Sequence, residues 1–458
     1  MDIRKAILLA SSGSGQALIP EDLAPYLVEY LYRVAPVLRR INKETADGRT
    51  HEINRRSAIP NAWFGGELEP LSSEFSTYQR RSVQMKIFRT PKSGVSGFER
   101  AASKSFIDSL ESEILGSVEA MADLYEWSLL WACSDETVPG FTGDALQCTG
   151  LMNYIFGDAT AAANNVIQPA TAGSQLILSD LDDMLDTAEG FRGVARDEKV
   201  FLCSRQMISR IGGLETMVYR VPEYVEFVPG GPVAAYKHVP LVPSDFVSAT
   251  EGTSPNVTAA DSGGGVGPPT GEYYYRISSV TRSGGEQYAG GASNVNAGGN
   301  IINLTWVADA TAYLYYIWRG AVGGGSSDHD DLYLVDVIAA KTYDGNDLVN
   351  GTVAAWSDSA ATAITTVHPL ASGEQNVILM NLNGRRGSSL LHLPTELTEG
   401  VQVPAELSAE VGDLTMLFGM VELARTRSAW EYELEGYGAF QVPWPQLHAV
   451  LRRVTYTA

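Results

Sequence analysis

Apolar and polar side chains alternate along residues 80–87. One face carries Val83, Met85 and Ile87, and the other carries Arg80, Ser82, Gln84 and Lys86. A period of two predicts a half-exposed β-strand. Residues 50–56 predict a second strand, and the two strands together form a long hairpin rich in charge. A two-stranded hairpin is too thin to be stable alone, so we expect it to lie on a neighbouring molecule.

The strongest helical pattern covers residues 105–132. Its apolar stripe recurs every three or four positions, at Ile107, Leu110, Ile114, Val118, Met121, Tyr125 and Leu129. Four acidic residues of the segment are expected to face mainly elsewhere: Glu111, Glu119, Asp123 and Glu126. At ~1.5 Å per residue the helix is roughly 40 Å long. It is therefore expected to be the backbone of a domain.

Mixed helical and strand patterns occupy 151–248 and return after 366. The first stretch predicts an acidic helix over 175–187, a strand over 200–203 and a helix that ends at Gly212-Gly213. The later stretch predicts strands over 376–380, around 430–434 and near Val450.

Residues 249–366 differ in composition from both flanks. They hold 18 of the 45 glycines and neither methionine nor cysteine. Short runs of aromatic and β-branched residues alternate with glycine-rich turns, which predicts a small β-sandwich. Because the character of the chain reverts after 366, we predict an inserted domain with its own core. Its deletion is then expected to leave the rest of the chain folded.

Charge divides the chain unevenly. The 458 residues carry 33 Lys+Arg and 54 Asp+Glu, a formal charge of −21. Residues 1–102 carry 15 basic and 11 acidic groups, whereas 249–366 carry 4 and 12. Overall acidity disfavours a protein that binds nucleic acid by neutralising phosphates, or one that is held on anionic membranes. Three cysteines cannot form a disulfide framework, and buried thiols in a reducing compartment are the simpler prediction.

Motifs that carry chemistry are not found. The six histidines show no metal-ligand spacing, and the sequence contains no Walker lysine motif and no Gly-x-Ser-x-Gly elbow. We therefore predict no catalytic residue, no cofactor and no metal. Two alternatives stay open. Residues 328–331, Asp-His-Asp-Asp, are either a cation site or a solvated loop. The Tyr and Trp residues of 273–318 are either a sugar-binding platform or core.

The order of elements resembles the major capsid protein of tailed bacteriophages, the Hong Kong 97-type coat fold. An N-terminal arm, a long hairpin, a long helix, an α/β domain and a returning sheet follow one another. Local likenesses lie at 62–75 (hairpin tip), 77–89 (returning strand), 106–132 (spine helix), 140–151 (glycine-rich turn), 239–243 (Val-Pro-Leu-Val-Pro) and 414–437 (last crossing). Residues 249–366 resemble immunoglobulin-like or fibronectin type III sandwiches.

The resemblance implies an α+β coat fold with an inserted all-β sandwich. The expected units are an N-terminal arm (1–49), an extended hairpin with the start of the peripheral domain (50–102), the spine helix of the peripheral domain (103–150), the first part of the axial domain (151–248), the inserted sandwich (249–366) and the return through both domains (367–458). Some members of the family cross-link a hairpin lysine to an asparagine of a neighbour. The matching stretch here, 76–79, holds no lysine, so covalent linkage between subunits is not expected.

The implied function is self-assembly, without enzymatic activity, into an icosahedral shell around the double-stranded DNA of a tailed phage. Partners would be copies of the chain in hexamers and pentamers, with scaffolding, portal and decoration proteins as further candidates, DNA contacted weakly and no membrane. The shell would be assembled in the host bacterial cytoplasm, with 249–366 displayed outside. Candidate inter-subunit contacts are Glu67, Glu69, Arg80, Arg81, Lys86, Arg89, Glu111, Glu119 and Asp123. The competing function is an extracellular adhesin or carbohydrate-binding protein that uses the sandwich.

Overall fold

The computed structural model describes most of the chain. The described residues are 35–62, 64, 73–96, 109–135, 141–169, 173–189, 198–217, 223–228, 231–281, 284–320, 329–340, 342–344, 347–349, 353–359, 367–384, 386–393, 417–422 and 429–456.

Helices are few and strands many in these ranges, so the mixed α/β class predicted from the sequence is confirmed. The α-helices are α1 (Pro36–Arg40), α2 (Ser109–Trp131), α3 (Leu151–Gly157), α4 (Ala159–Asn164), α5 (Leu178–Glu189) and α6 (Arg205–Met217). The strands up to residue 247 are β1 (Asn42–Thr45), β2 (Thr50–Ala58), β3 (Thr77–Gln84), β4 (Lys86–Arg89), β5 (Ser93–Ser96), β6 (Val166–Ile167), β7 (Lys199–Cys203), β8 (Glu223–Val228), β9 (Gly231–Tyr236) and β10 (Val239–Pro243).

The next strands belong to the glycine-rich stretch and to the C-terminal part. They are β11 (Ser248–Thr253), β12 (Val257–Asp261), β13 (Gly271–Thr281), β14 (Gly285–Tyr288), β15 (Ser293–Ala297), β16 (Ile302–Val307), β17 (Ala312–Gly320), β18 (Leu332–Ala339), β19 (Thr342–Asp344), β20 (Asp347–Val349), β21 (Val353–Asp358), β22 (Gln375–Asn381), β23 (Ser389–His392), β24 (Phe418–Glu422), β25 (Ala429–Gln441) and β26 (Ala449–Val454).

The long helix α2 packs on a sheet centred on β25. This strand pairs with β23 and β24, and also with β4 and β5. Val118, Met121, Tyr125 and Leu129 of the predicted stripe are buried, which confirms it for these positions. The ring of Tyr125 stacks on Phe88 of β4 with centroids 4.1 Å apart. The helix is thus fixed to the strands that continue the hairpin.

A second, seven-stranded sheet has the order β6-β26-β22-β7-β10-β9-β8. Its central strands β7, β22 and β26 are buried along their whole length, as expected for a sheet covered on both faces. Helices α5 and α6 share the apolar core of one face. The prediction that α6 ends at Gly212-Gly213 is wrong, because the helix continues to Met217. Glycine inside a helix costs only about 1 kcal/mol, which the burial of Met207 and Ile211 offsets.

In the described part of 249–366 two larger sheets face each other. One has six strands in the order β11-β14-β13-β17-β18, with β15 also paired to β13, and the other has the order β12-β16-β21; β19 and β20 form a separate small pair. Between the two larger sheets lies a core that includes Tyr275, Leu304 and Ile317. Part of the outer face of the larger sheet, including Leu314, Tyr316 and Trp318, is buried. Tyr316 lies against Trp131 of α2, with ring centroids 6.1 Å apart, in the main core of the chain. These residues therefore have a core of their own and also close the core of the rest.

Candidate assembly interface

The hairpin of β2 and β3 is antiparallel, with Thr50 opposite Gln84 and Arg56 opposite Tyr78. At about 3.3 Å per residue the nine residues of β2 extend roughly 30 Å. Most of its side chains are exposed or half-buried, as the sequence predicts for a thin element. Such a hairpin needs a surface to lie on. Its two faces differ in their contacts, because one contacts the body of the subunit and the other carries pairs within the hairpin.

The inward face holds the root of the hairpin on its own subunit. The Arg81 guanidinium lies 4.3 Å from the centroid of the Tyr154 ring, and its Nη1 donates to the Val442 carbonyl at 3.4 Å. Arg55 lies 5.1 Å from the ring of Trp444. Burial lowers the pKa of Arg55, and the nearby charge of Arg81 lowers it further. These arginines orient the hairpin relative to the body.

The outward face is covered by pairs within the hairpin. Arg80 binds Glu52 across the strands, with Nη1 and Oε2 3.0 Å apart and both side chains more than half exposed. Arg56 lies over the ring of Tyr78 at 5.6 Å. An exposed ion pair contributes only about 0–1 kcal/mol, so Arg80 can exchange its partner for one on another molecule at little cost.

The alternation predicted from the sequence breaks at Met85, where β3 ends before β4 begins. Val83 and Met85 are buried as predicted, but Ile87 is exposed to 54% and Lys86 is buried. The prediction is therefore wrong for these two residues, because the buried and exposed positions are exchanged after Met85. The Nζ of Lys86 donates to the Ala145 carbonyl at 2.7 Å, so this candidate contact residue is engaged within its own subunit.

Arg89, on β4, also finds a partner in its own chain. Its Nη2 lies 2.8 Å from Oε1 of Glu435 on β25, and the arginine side chain stays 57% exposed. The hydrogen bond to Glu435 raises the pKa of Arg89. The pair joins two neighbouring strands of one sheet, and the exposed part of the Arg89 side chain can still reach a neighbouring subunit.

The acidic residues selected on α2 are placed differently from one another. Glu119 and Asp123 are half-buried, and each is in contact with other groups of the subunit. Glu126, expected on the outer side, is fully buried, and the prediction for it is wrong. Its carboxylate accepts hydrogen bonds from the backbone N–H of Val37 at 3.3 Å and of Leu38 at 2.9 Å. Glu67, Glu69 and the Glu111 side chain lie outside the described residues.

Burial raises the pKa of Glu126 to about 7, although the two N–H donors and Arg39 act in the opposite direction. The carboxylate replaces the side-chain cap that α1 lacks at its own N-terminus, where Ala35 makes no capping hydrogen bond. Ala35, Val37 and Leu38 are buried beside it. Glu126 thus fixes the end of the N-terminal segment to the long helix.

The distal part of the hairpin carries exposed apolar side chains, which the charge pattern of the sequence did not indicate as contacts. Phe64 and Phe75 are 106% and 83% exposed, and Ile59 and Tyr78 are 53% and 61% exposed. Side chains of this size dominate the binding energy of interfaces when they become buried. The signal in the sequence was present as aromatic residues at the tip of an otherwise charged hairpin.

The sequence left two features open, which are the aromatic residues of 273–318 and the acidic residues 328–331. Tyr273, Tyr275, Trp306 and Trp318 are buried, so these aromatics are core rather than a sugar-binding platform. Asp330 is paired with Arg453. In the part of the chain that the structure describes, no three His, Cys, Asp or Glu side chains are grouped as metal ligands. Within the same part, no helix is long and apolar enough to cross a membrane.

No protein-family model matches the chain, and no curated protein matches it. Solved structures do. The holo-SrpI encapsulin complex from Synechococcus elongatus PCC 7942 is similar at a TM-score of 0.50 and 13% identity, over 97% of this chain and 95% of that one. The capsid of Cyanophage A-1(L) matches at a TM-score of 0.47 and 10% identity, over 96% and 99%. A native GTA particle capsid matches at 0.45 and 7%, over 97% and 99%. At these identities the encapsulin match shows a shared fold.

Proposed function

We propose that this chain is the major capsid protein of a tailed phage, which assembles without enzymatic activity into an icosahedral shell around double-stranded DNA. The observation that carries the proposal is the hairpin, whose root is fixed to its own subunit while its far end presents Phe64 and Phe75 to solvent. A monomer seldom leaves such side chains exposed together unless a partner covers them. The fold shared with the encapsulin, a shell-forming protein, supports the same function.

In this proposal the arginines and the aromatic tip have separate roles. Arg55 and Arg81 set the direction of the hairpin, and the apolar tip is buried on the adjacent copy. Arg80, Arg89 and the acidic Glu119 and Asp123 are then the candidates for charged contacts at the rim, where single pairs add little. Symmetry repeats each weak contact many times, so modest energies per contact suffice for a closed shell.

The distribution of charge agrees with this arrangement. Residues 1–102 carry four more basic than acidic groups, whereas 249–366 carry eight more acidic than basic groups. Basic extensions can therefore reach acidic neighbours. Hexamers and pentamers of the chain would form the shell, with scaffolding, portal and decoration proteins as further partners. We place 249–366 on the outer surface, and packaged DNA would be contacted weakly because the body is acidic. Assembly would take place in the bacterial cytoplasm.

Negative-stain electron microscopy of the purified chain tests the proposal. Closed icosahedral particles are expected, and a protein that stays monomeric across a range of concentrations and salt would overturn it. The adhesin alternative requires exposed aromatic or polar binding groups on the sandwich. The burial of Tyr275 and Trp318 gives it no support.

A further inference from the structure

Lys199 and Asn381 face each other across two central strands of the seven-stranded sheet. Lys199 begins β7, Asn381 ends β22, and the two are register partners in an antiparallel pairing. The backbone hydrogen bond from the Leu382 N–H to the Glu198 carbonyl, 2.7 Å, flanks the pair. The pair is therefore of the narrow, non-hydrogen-bonded type, with Cα atoms about 4.5 Å apart and both side chains on one face.

Both side chains are buried, with 1% of Lys199 and none of Asn381 exposed. The next pair on the same face, Phe201 and Leu379, lies in the apolar core under α5. Glu189, the last residue of α5, places Oε1 3.3 Å from the Nζ of Lys199 and remains 27% exposed at its side chain. The side chains of Lys199 and Asn381 thus start from neighbouring positions on one face at one end of the sheet, and the carboxyl group of Glu189 reaches the lysine amine from the edge of the solvent.

The carboxamide of Asn381 is held in one orientation. Its Oδ1 accepts the N–H of Asn383 at 2.9 Å. Among the described residues, no acceptor lies within hydrogen-bonding distance of its buried Nδ2. A buried donor left without an acceptor destabilises the folded state, and a buried ammonium group keeps a desolvation penalty even beside a carboxylate. Both groups lie in the core on neighbouring strands.

We propose that Lys199 and Asn381 join in an intramolecular isopeptide bond. The ammonium group of Lys199 gives one proton to Glu189, which releases it to solvent, and the resulting amine attacks Cγ of Asn381 through Nζ. Nζ then loses a second proton, which reaches Nδ2 by way of Glu189, the Cγ–Nδ2 bond breaks, and one ammonia leaves. The product is a secondary amide, so no oxidant or further reactant is needed. Burial favours the reaction because it removes the ammonium charge and the unpaired NH₂ group together.

The bond would close a loop that contains all of residues 249–366. Cross-links that close long loops restrict the unfolded chain and raise stability against unfolding. Here the link would clamp the strands on which the glycine-rich stretch is inserted. It lies within one subunit and needs no shell for its formation, so its test is independent of the assembly proposal.

Intact-mass spectrometry of the purified chain, after prolonged incubation in the folded state, tests the inference. The mass is expected to fall below that of the sequence by one ammonia, and proteolysis should yield one branched peptide that contains both residues. Lys199→Met and Asn381→Leu should each restore the full mass, and Glu189→Gln should slow the loss. Lys86→Met is the matched control, since it removes another buried lysine and should keep the loss. A wild-type chain of full mass, with the two residues in separate peptides, would overturn the inference.

Discussion

Arg452 and Glu286 form a two-point ion pair that is completely buried. Nη1 lies 2.9 Å from Oε2 and Nη2 lies 3.0 Å from Oε1. Arg452 belongs to β26 of the seven-stranded sheet, and Glu286 belongs to β14 of the glycine-rich stretch. The guanidinium also lies 5.3 Å from the ring centroid of Phe156. Arg452 therefore connects β26 with β14 and with Phe156 of α3 in the interior of the protein.

The first prediction concerns this pair. Glu286→Gln keeps the shape of the side chain but leaves the charge of Arg452 buried without its counter-ion. The free energy of unfolding is expected to fall by about 3–5 kcal/mol in urea titrations. Glu52→Gln, which breaks the exposed pair with Arg80, is the matched control and should change it by less than about 1 kcal/mol. An equal loss of unfolding free energy in the two variants would show that the buried ion pair stabilises the fold no more than the exposed one.

The second prediction reverses an expectation from the sequence. Deletion of 249–366 was expected to leave the rest folded, because an inserted domain has its own core. The structure instead packs the larger sheet of this stretch against Trp127 and Trp131 of α2. Without that sheet these rings, each burying about 150–250 Å², would face water.

The deleted chain is therefore expected to be insoluble or to lack cooperative thermal unfolding. The measurement is calorimetry beside circular dichroism, with Gly264→Ala as the control, because a methyl group added at Gly264 meets no atom within 4 Å. A deletion variant that melts cooperatively would show that the described contacts are dispensable.

The third prediction separates the two roles in the hairpin. Phe64→Ser together with Phe75→Ser should leave the unfolding free energy within about 0.5 kcal/mol of the wild type, because both side chains are exposed in the subunit. Assembly should fall sharply, since the tip loses its apolar contact. Sedimentation velocity reports the fraction of protein in particles.

Val83→Ser is the control for that experiment, because it replaces a buried side chain of the hairpin instead of an exposed one. Val83 is buried in the subunit, so its replacement should lower stability by roughly 1–3 kcal/mol. Arg80→Glu with Arg81→Glu should also weaken assembly. This variant has two effects, because it reverses charges on the hairpin and removes the contact by which Arg81 holds the hairpin on Tyr154. Normal particles from the double phenylalanine variant would exclude the tip as the docking element.

The fourth prediction concerns pH. The pKa of Glu126 is raised from 4.5 to about 7 by burial, so the folded chain holds a proton there more tightly than the unfolded chain. Its contribution to stability is complete below about pH 4.5 and is lost as the pH rises through 7. Glu126→Gln removes this dependence. The unfolding free energy of the variant, relative to that of the wild type, should therefore rise as the pH increases from 5 to 8 in urea titrations. A difference that does not change with pH would contradict the raised pKa of Glu126.

Local patterns predicted the elements well. The hairpin and the buried stripe of α2 follow from periodicity, and β7, β22 and β26 lie where the sequence predicted strands over 200–203, over 376–380 and near Val450. The errors have one physical origin, which is that contacts distant in the sequence decided the outcome. Lys86 is buried because the chain breaks register at Met85 and the Ala145 carbonyl of another loop accepts a hydrogen bond from its Nζ. Glu126 is buried because α1, 88 residues away, needs a cap.

The candidate site was predicted only in part. The charged residues of the hairpin were selected from the pattern, but most of them are bound within their own subunit. The exposed phenylalanines were passed over because periodicity cannot show whether an aromatic side chain is core or surface. The proposed interface therefore shifts from the charges of the strands to the apolar tip.

Cryo-electron microscopy of the assembled protein shows directly where the far end of each hairpin lies. We expect a closed icosahedral shell in which this end, with Phe64 and Phe75, is buried on the adjacent subunit. Arg81 should still lie on Tyr154 of its own subunit. Closed particles in which the hairpin tips face solvent, or a protein that forms no particles at all, would contradict it.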